Sequence, residues 1–223
     1  KPVLSGITLT VAFLAILALI PPSHDPTKVY DMCVDGGLIA LWTAIYAAHR
    51  HVFKNELPHN LTPTTLGLGL LYSAPLTLYG LFMLLVGIAG SIAFGNSIPL
   101  VFVLECILKA ARAGICEEIV LRGLFAGNLM RVSHTTKDII KNAFIPSAVF
   151  GLSHAINLMA GAGFYATMSQ VIYAFGIGFL LSAVFFRTGS IVPGIICHTV
   201  VDFCIFMAMS LVKGSYENVG TMQ

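Results

Sequence analysis

Long apolar runs separated by short polar segments constrain this chain more than any other feature of its sequence. Most runs approach or exceed the roughly 20 apolar residues that a helix needs to cross a bilayer, and they lack the short alternating strands of a membrane β-barrel. Of the 223 residues, 57% are hydrophobic and only 10% are charged, against about 25% charged in a soluble domain. We therefore predict an all-α fold: a polytopic transmembrane bundle of about seven to eight helices, forming a single integral membrane domain over residues 1–223.

The apolar runs predict seven helices, and division of the third or of the fourth would give an eighth. Pro75 is expected to kink or divide the third helix, because proline removes a backbone donor. In the fourth run, Glu105, Lys109 and Arg112 mark the first half as partly wet, and the basic segment 131–141 is predicted to be a loop. The helices are expected at about residues 3–20, 33–48, 66–94, 100–129, 143–159, 168–186 and 191–212.

Basic residues predict how the bundle sits in the membrane. They fall at alternate ends of the apolar runs, and the intervening turns near Asn96 and Gly161 have none. By the positive-inside rule the basic ends are cytoplasmic, and the expected location is the cell membrane. The net charge of +2 gives no indication of nucleic-acid binding. The basic residues that set this orientation are Arg50, Lys54, Arg131, Lys137, Lys141 and Arg187.

Three ionisable side chains lie close together within the fourth apolar run. An ionised group at the centre of a membrane helix costs roughly 2.5–3.5 kcal/mol, so Glu117, Glu118 and Arg122 need partners, a wet cavity or a chemical role. Glu118 and Arg122 are four residues apart and are expected to pair on one helix face. Glu117 points about 100° away from that pair. One carboxylate is thereby accounted for, and the other is available for chemistry.

Two histidines lie in the middle of apolar helices, which is where an ionisable group most often has a function. His154 belongs to the fifth predicted helix. His198 belongs to the seventh, where it is four residues before Asp202 and shares its face. Together with the glutamates, these residues place polar groups on three helices. The other histidines fall in loops or at helix ends and are expected to be solvated; they are His24, His49, His51, His59 and His134.

Several solutions for hydrolysis within a membrane are absent from the sequence. There is no His-Glu-x-x-His zinc motif and no Gly-x-Ser-Gly, and Ser153 cannot use His154 from the adjacent helix position. No Gly-x-Gly-Asp accompanies a second membrane aspartate, so a carboxylate dyad is not indicated. A glutamate assisted by histidines remains. Two other interpretations stay open: the same residues could hold Zn²⁺ or relay protons or ions in a transporter.

The order of these polar residues resembles that found in the CAAX protease and bacteriocin-processing family. This family is also called the Abi family and contains the type II CAAX prenyl endopeptidases. The resemblance extends over about residues 104–209, and the first three helices carry no identifying motif. It rests on three motifs in sequence: Glu117-Glu118-x-x-x-Arg122, Phe150-x-x-x-His154 and His198-x-x-x-Asp202.

The resemblance implies a membrane-embedded, glutamate-type endopeptidase that needs no metal or other cofactor. Glu117 would be the general base that activates water, and His154 would help to hold that water. His198 and Asp202 would stabilise the oxyanion. An ionised carboxylate cannot donate a hydrogen bond, which leaves orientation of His198 or of a water as the other role for Asp202. The supporting residues would be Glu118, Arg122 and Phe150.

The expected partners are a peptide or lipid-modified peptide substrate and the membrane lipids, with no nucleic acid. If a metal is bound instead, the ligands are expected to be Glu117, His154 and His198, with Zn²⁺ as the ion. The alternative function is non-proteolytic: a bacteriocin immunity factor, or a transporter with an intramembrane proton or ion relay.

Overall fold

The computed structural model describes residues 2–20, 28–53, 61–95, 98–159 and 161–213, and it contains no strand within these ranges. The prediction of an all-α bundle is confirmed. Five of the described helices are long and apolar enough to cross a membrane, as expected of an integral membrane protein. The helices are α1 (Pro2–Leu19), α2 (Val29–Val52), α3 (Pro63–Phe94), α4 (Leu100–Arg112), α5 (Gly127–Met130), α6 (Thr136–Ser153), α7 (Phe164–Thr188) and α8 (Val192–Lys213).

Helices α4 and α5 are the two ends of one unbroken helical rod. Between them the chain is π-helical over Ala113–Glu117 and Ile119–Ala126, with Glu118 at the junction of the two π-helical segments. Residues 100–129 were expected to be helical, either as one tilted helix or as an interfacial piece joined to a buried one, and the structure shows one continuous rod. Its interior differs from a regular α-helix at the segment that carries the paired carboxylates.

Helix α3 is continuous through Pro75, so the proline does not divide it. The helix packs closely along α8: a Cβ atom added at Gly87 would lie 2.6 Å from the Ala208 Cα, and one at Gly80 would lie 3.2 Å from the Val201 Cα. These close backbone contacts hold α3 against its neighbour on the C-terminal side of the proline. Membrane helices tolerate proline when neighbouring helices supply such support.

Helix α6 begins earlier than predicted, inside the segment 131–141 that was expected to be a loop. The Thr135 hydroxyl accepts a hydrogen bond from the Asp138 N–H at 3.2 Å, and the Asp138 carboxylate accepts from the Thr135 N–H at 3.0 Å. This capping box satisfies two of the free N–H groups at the helix start. The prediction was wrong because it placed the helix start at the first apolar residues and ignored this polar start signal.

The charged half of α4 is buried and not partly wet. Glu105, Lys109 and Arg112 are all buried, and α2 together with the residue before it supplies opposite charges. The Arg112 Nε atom lies 2.7 Å from the Asp35 Oδ1 atom, and the Lys28 Nζ atom lies 3.9 Å from the Glu105 Oε1 atom. Pairing across two helices allows these charges to be enclosed, which the spacing within α4 alone did not indicate.

One histidine expected to be solvated is also buried. His49 is only 6% exposed, and its ring packs against that of Phe53 with 4.5 Å between the centroids. His51 and His134 are exposed, as predicted. The other two, His24 and His59, lie outside the described residues.

Helix α8 is the most enclosed of the candidate spans, with α3 along one side and the π-helical segment along another. A Cβ atom added at Gly114 would lie 2.8 Å from the Thr199 backbone nitrogen and would overlap the Thr199 hydroxyl. Only glycine permits this approach. It brings the segment with the paired carboxylates directly against the helix that carries His198.

Candidate active site

The two adjacent glutamates face different environments. Glu118 is fully buried, whereas the side chain of Glu117 is 16% exposed and lines a partly open cavity. This divergence agrees with the angle expected between neighbouring helical positions. π-Helical turns occur frequently at functional sites, and here one ends at Glu117 and the next begins directly after Glu118.

Glu118 and Arg122 form the ion pair expected from their spacing. The Arg122 Nη1 atom donates to the Glu118 Oε1 atom at 2.7 Å, and Nη2 donates to the Gly178 carbonyl oxygen on α7 at 3.0 Å. Gly194 on α8 leaves space for the carboxylate, since a Cβ atom there would lie 2.8 Å from the Glu118 Oε2 atom. The pair therefore ties the π-helical segment to both α7 and α8.

His198 lies among three carboxylates. Its Nδ1 atom is 3.0 Å from the Glu118 Oε1 atom, and because a carboxylate paired with arginine only accepts, Nδ1 carries the proton and donates. The Nε2 atom is 3.5 Å from the Asp202 Oδ2 atom and 3.8 Å from the Glu117 Oε2 atom. Both distances exceed that of a good hydrogen bond. The Nε2 atom thus faces the cavity with carboxylates on two sides.

His154 follows α6 directly and begins a 3₁₀-helix, His154–Leu158. Its Nδ1 atom lies 2.9 Å from the Phe150 carbonyl oxygen. This oxygen can only accept, so the Nδ1 atom donates, and in the neutral ring the Nε2 atom is left with a lone pair. The backbone thus sets the tautomer of this histidine.

The Phe150 ring packs against the two histidines and Arg122. Its centroid lies 5.0 Å from that of His154 and 5.9 Å from that of His198, while the Arg122 guanidinium carbon lies 5.3 Å from it. Aromatic contacts at these distances are favourable. Phe150 therefore fixes the relative positions of groups that come from three different segments.

A cavity of about 750 Å³ collects most of the residues singled out in the sequence. Its walls come from α1, α3, the end of α4, the π-helical segment, α6, the 3₁₀-helix that follows it, α7 and α8, and they are mainly apolar. Glu118 and Arg122 are not in its wall and instead contact residues that are. The predicted site residues in the wall are Glu117, Phe150, His154, His198 and Asp202.

Sequence reasoning missed other polar groups in this wall. Arg112 lies there, and so does a pair from opposite sides of the α6–α7 connection, in which the Asn157 Nδ2 atom donates to the Gln170 Oε1 atom at 2.8 Å. Gln170 could have been noticed as an amide within an apolar helix. The sequence drew attention to Arg112 as a charged residue of the fourth run, but its place in the cavity wall could not have been predicted, because that place depends on a π-helical turn.

The suggested zinc ligands Glu117, His154 and His198 share the cavity wall. Across the described ranges, no group of three or more His, Cys, Asp or Glu side chains is arranged to hold a metal ion. Metal-free chemistry stays a prediction, and direct metal analysis of the purified protein would test it against the zinc alternative.

Comparison with protein families confirms the resemblance seen in the motifs. Residues 99–204, just under half of the chain, match the family model described as type II CAAX prenyl endopeptidase Rce1-like. The matched range contains every predicted site residue. No curated protein and no solved structure matches the chain.

Proposed function

Because residues 99–204 belong to the Rce1-like family of type II CAAX prenyl endopeptidases, we propose that this membrane protein hydrolyses a peptide bond with a water molecule activated by Glu117. The supporting observation is the meeting of three segments at one cavity. The Glu117 carboxylate lies 3.8 Å from the His198 imidazole, and His154 lines the same cavity. A general base within reach of a water and of a second polar group is the arrangement that such hydrolysis needs.

In the proposed reaction, Glu117 removes a proton from water while the water oxygen attacks the carbonyl carbon of the substrate. The carbonyl oxygen becomes an oxyanion. Glu117 then returns the proton to the amide nitrogen as the carbon–nitrogen bond breaks, which yields a carboxylic acid and an amine. His154, with its Nδ1 hydrogen bonded to backbone, would accept a hydrogen bond from the attacking water at Nε2.

His198 would stabilise the oxyanion in this proposal. Its Nδ1–H group donates to Glu118, so only the doubly protonated ring can also donate from Nε2. Asp202, 3.5 Å from Nε2, would hold that N–H group before the substrate arrives. Preorganised donors in a cavity with mainly apolar walls stabilise a developing charge far more than they do in water.

The cavity favours a substrate with an apolar part. Its wall includes Leu17 of α1 and Phe206 and Met209 of α8, which suit a hydrophobic side chain or an attached lipid. We propose a peptide or lipid-modified peptide substrate, cleaved in the cell membrane with the basic helix ends cytoplasmic.

The test is a comparison of peptides from cells that contain the parent protein or the Glu117→Gln variant, followed by cleavage of the identified substrate in detergent. We expect the variant to lose about 10²–10⁴-fold in rate, the usual contribution of a general base. Glu105→Gln is the matched control, because Glu105 is buried in the same rod but is not in the cavity wall. Unchanged cleavage by Glu117→Gln would refute the proposal.

The same preparations separate the alternatives. If zinc copurifies in equal amount with the protein and chelation abolishes cleavage, the mechanism is zinc-dependent and the metal-free mechanism is wrong. Ion flux into liposomes in the absence of any cleaved peptide would favour a transporter relay. A protein with neither activity would match an immunity factor.

A further inference from the structure

Arg112 is a cation in the cavity wall for which the proposed mechanism has no role. Its side chain is only 4% exposed, yet it belongs to the same wall as Glu117 and Asp202. The other arginine of this region, Arg122, is occupied by Glu118 and by a backbone carbonyl outside the wall. Arg112 is thus the arginine that a molecule in the cavity would meet.

The π-helical turn explains how Arg112 and Glu117 can line the same cavity. The two residues are five positions apart, which on an α-helix would place them about 140° apart around the axis. In a π-helix the repeating hydrogen bond runs from residue i to residue i+5, so residues five apart lie above one another. Because the segment Ala113–Glu117 is π-helical, both side chains can line one cavity, one turn apart.

The guanidinium is anchored through its Nε atom, and its Nη1 atom is an unused donor. Its Nε atom is 2.7 Å from the Asp35 Oδ1 atom on α2. Its Nη1 atom is buried and has no hydrogen-bond partner among the described residues. A buried donor without a partner is unfavourable, and a planar guanidinium matches a carboxylate through two parallel N–H groups.

We propose that Arg112 is a specificity-determining residue that binds a carboxylate of the peptide substrate one π-helical turn from Glu117. The inference rests on the proposed peptidase function. A substrate carboxylate that enters this apolar cavity meets Glu117 and Asp202, both of which repel it, so it needs a cation of its own. Asp35 holds the guanidinium in place for this contact. The carboxylate can be the free C-terminus of the peptide or an acidic side chain close to the scissile bond.

The test measures binding separately from cleavage, in the Glu117→Gln protein reconstituted in nanodiscs. The probes are three S-farnesylated peptides. One ends in Cys-Ala-Ala-Leu with a free carboxylate, one is the same sequence as the C-terminal amide, and one is the amide of Cys-Ala-Ala-Asp. We expect the free acid to bind about tenfold or more tightly than the neutral amide, the effect of a hydrogen bond to a charged group. Binding of the aspartyl amide distinguishes a side-chain carboxylate from a terminal one.

When Arg112→Gln is added to the Glu117→Gln protein, the preference for the acid should be abolished. Arg112→Lys should retain part of the preference, because lysine keeps the positive charge but lacks the two parallel N–H donors of the guanidinium. Lys109→Gln is the matched control: Lys109 is a buried cation on the same helix and is not in the cavity wall. A purely structural role for Arg112 would lower stability without changing the ratio of affinities. The inference is overturned if neither the free acid nor the aspartyl amide binds more tightly than the neutral amide, if no peptide binds, or if Arg112→Gln keeps the preference.

Cleavage of the free-acid peptide by the protein with Glu117 intact separates the two proposals. An Arg112-dependent preference without any cleavage would refute the peptidase function and leave the carboxylate site standing. Cleavage that depends on Glu117 but shows no Arg112-dependent preference would refute the carboxylate site and support the peptidase function.

Discussion

Removal of the Arg122 guanidinium tests how the charges around the site are held. Arg122 and Glu118 are 1% and 0% exposed, and 2.7 Å separates Nη1 from Oε1. At an effective dielectric constant of about 20, their attraction is roughly 6 kcal/mol, part of which offsets the cost of burying both charges. Loss of one partner from a buried pair costs about 3–5 kcal/mol. We therefore expect Arg122→Met to lower the free energy of unfolding by about 3–5 kcal/mol.

The assay is unfolding of the purified protein by SDS in mixed micelles, with the parent, both single variants and the double variant. Glu118→Gln is the second substitution, because glutamine keeps an acceptor for the His198 Nδ1–H group while removing the charge. We expect the double variant to be more stable than the sum of the single losses predicts, by about 2–3 kcal/mol. Arg187→Met, at an exposed position, is the control and should change stability by about 0.5 kcal/mol or less.

The reasoning would be refuted by a loss below about 1 kcal/mol for Arg122→Met together with a coupling energy near zero. Hydrogen bonds between membrane helices average only about 0.6 kcal/mol in the measured case. A result in that range would mean that the pair behaves as a neutral polar contact. Glu118 would then not be the fixed acceptor that the proposed role of His198 requires.

Two further predictions follow from the geometry. His198→Gln should lower the cleavage rate by about 10²-fold or more while the protein stays folded. Initial rates and unfolding curves of one preparation measure both properties. An unchanged rate would show that His198 has no role in the mechanism. Gly114→Ala should destabilise the protein by about 1–3 kcal/mol, because the added methyl group overpacks against Thr199. Gly176→Ala is the control: its methyl group would meet open space, so the change should be neutral or stabilising by up to about 1 kcal/mol. The opposite order in thermal unfolding would contradict the close contact between the π-helical segment and α8.

Local sequence patterns predicted that the apolar runs are helical, and they predicted contacts within one helix. The apolar runs predicted the all-α bundle because a bilayer requires backbone hydrogen bonds to be satisfied inside each segment. The spacing of four residues predicted the pair of Glu118 with Arg122, and it also placed His198 near Asp202. In each case the interacting groups are neighbours on one helix, so the distance between them is set by helix geometry alone.

Contacts between helices were harder to predict. His49 was expected to be solvated and is buried, and the charges of α4 are enclosed because Asp35 and Lys28 approach from another part of the chain. Such pairings depend on which helix faces lie against each other. A single sequence does not contain that information in its periodicity.

The sequence by itself determined that ionisable residues are placed within apolar helices, and the ordered motifs indicated a family. Only the tertiary structure brought Glu117, His154 and His198 to one cavity, and the π-helical turn allows Arg112 to line that cavity as well. The physical reason is that this arrangement depends on backbone contacts such as that of Gly114 with Thr199. Those contacts join residues far apart in the chain, and they form only when the helices pack.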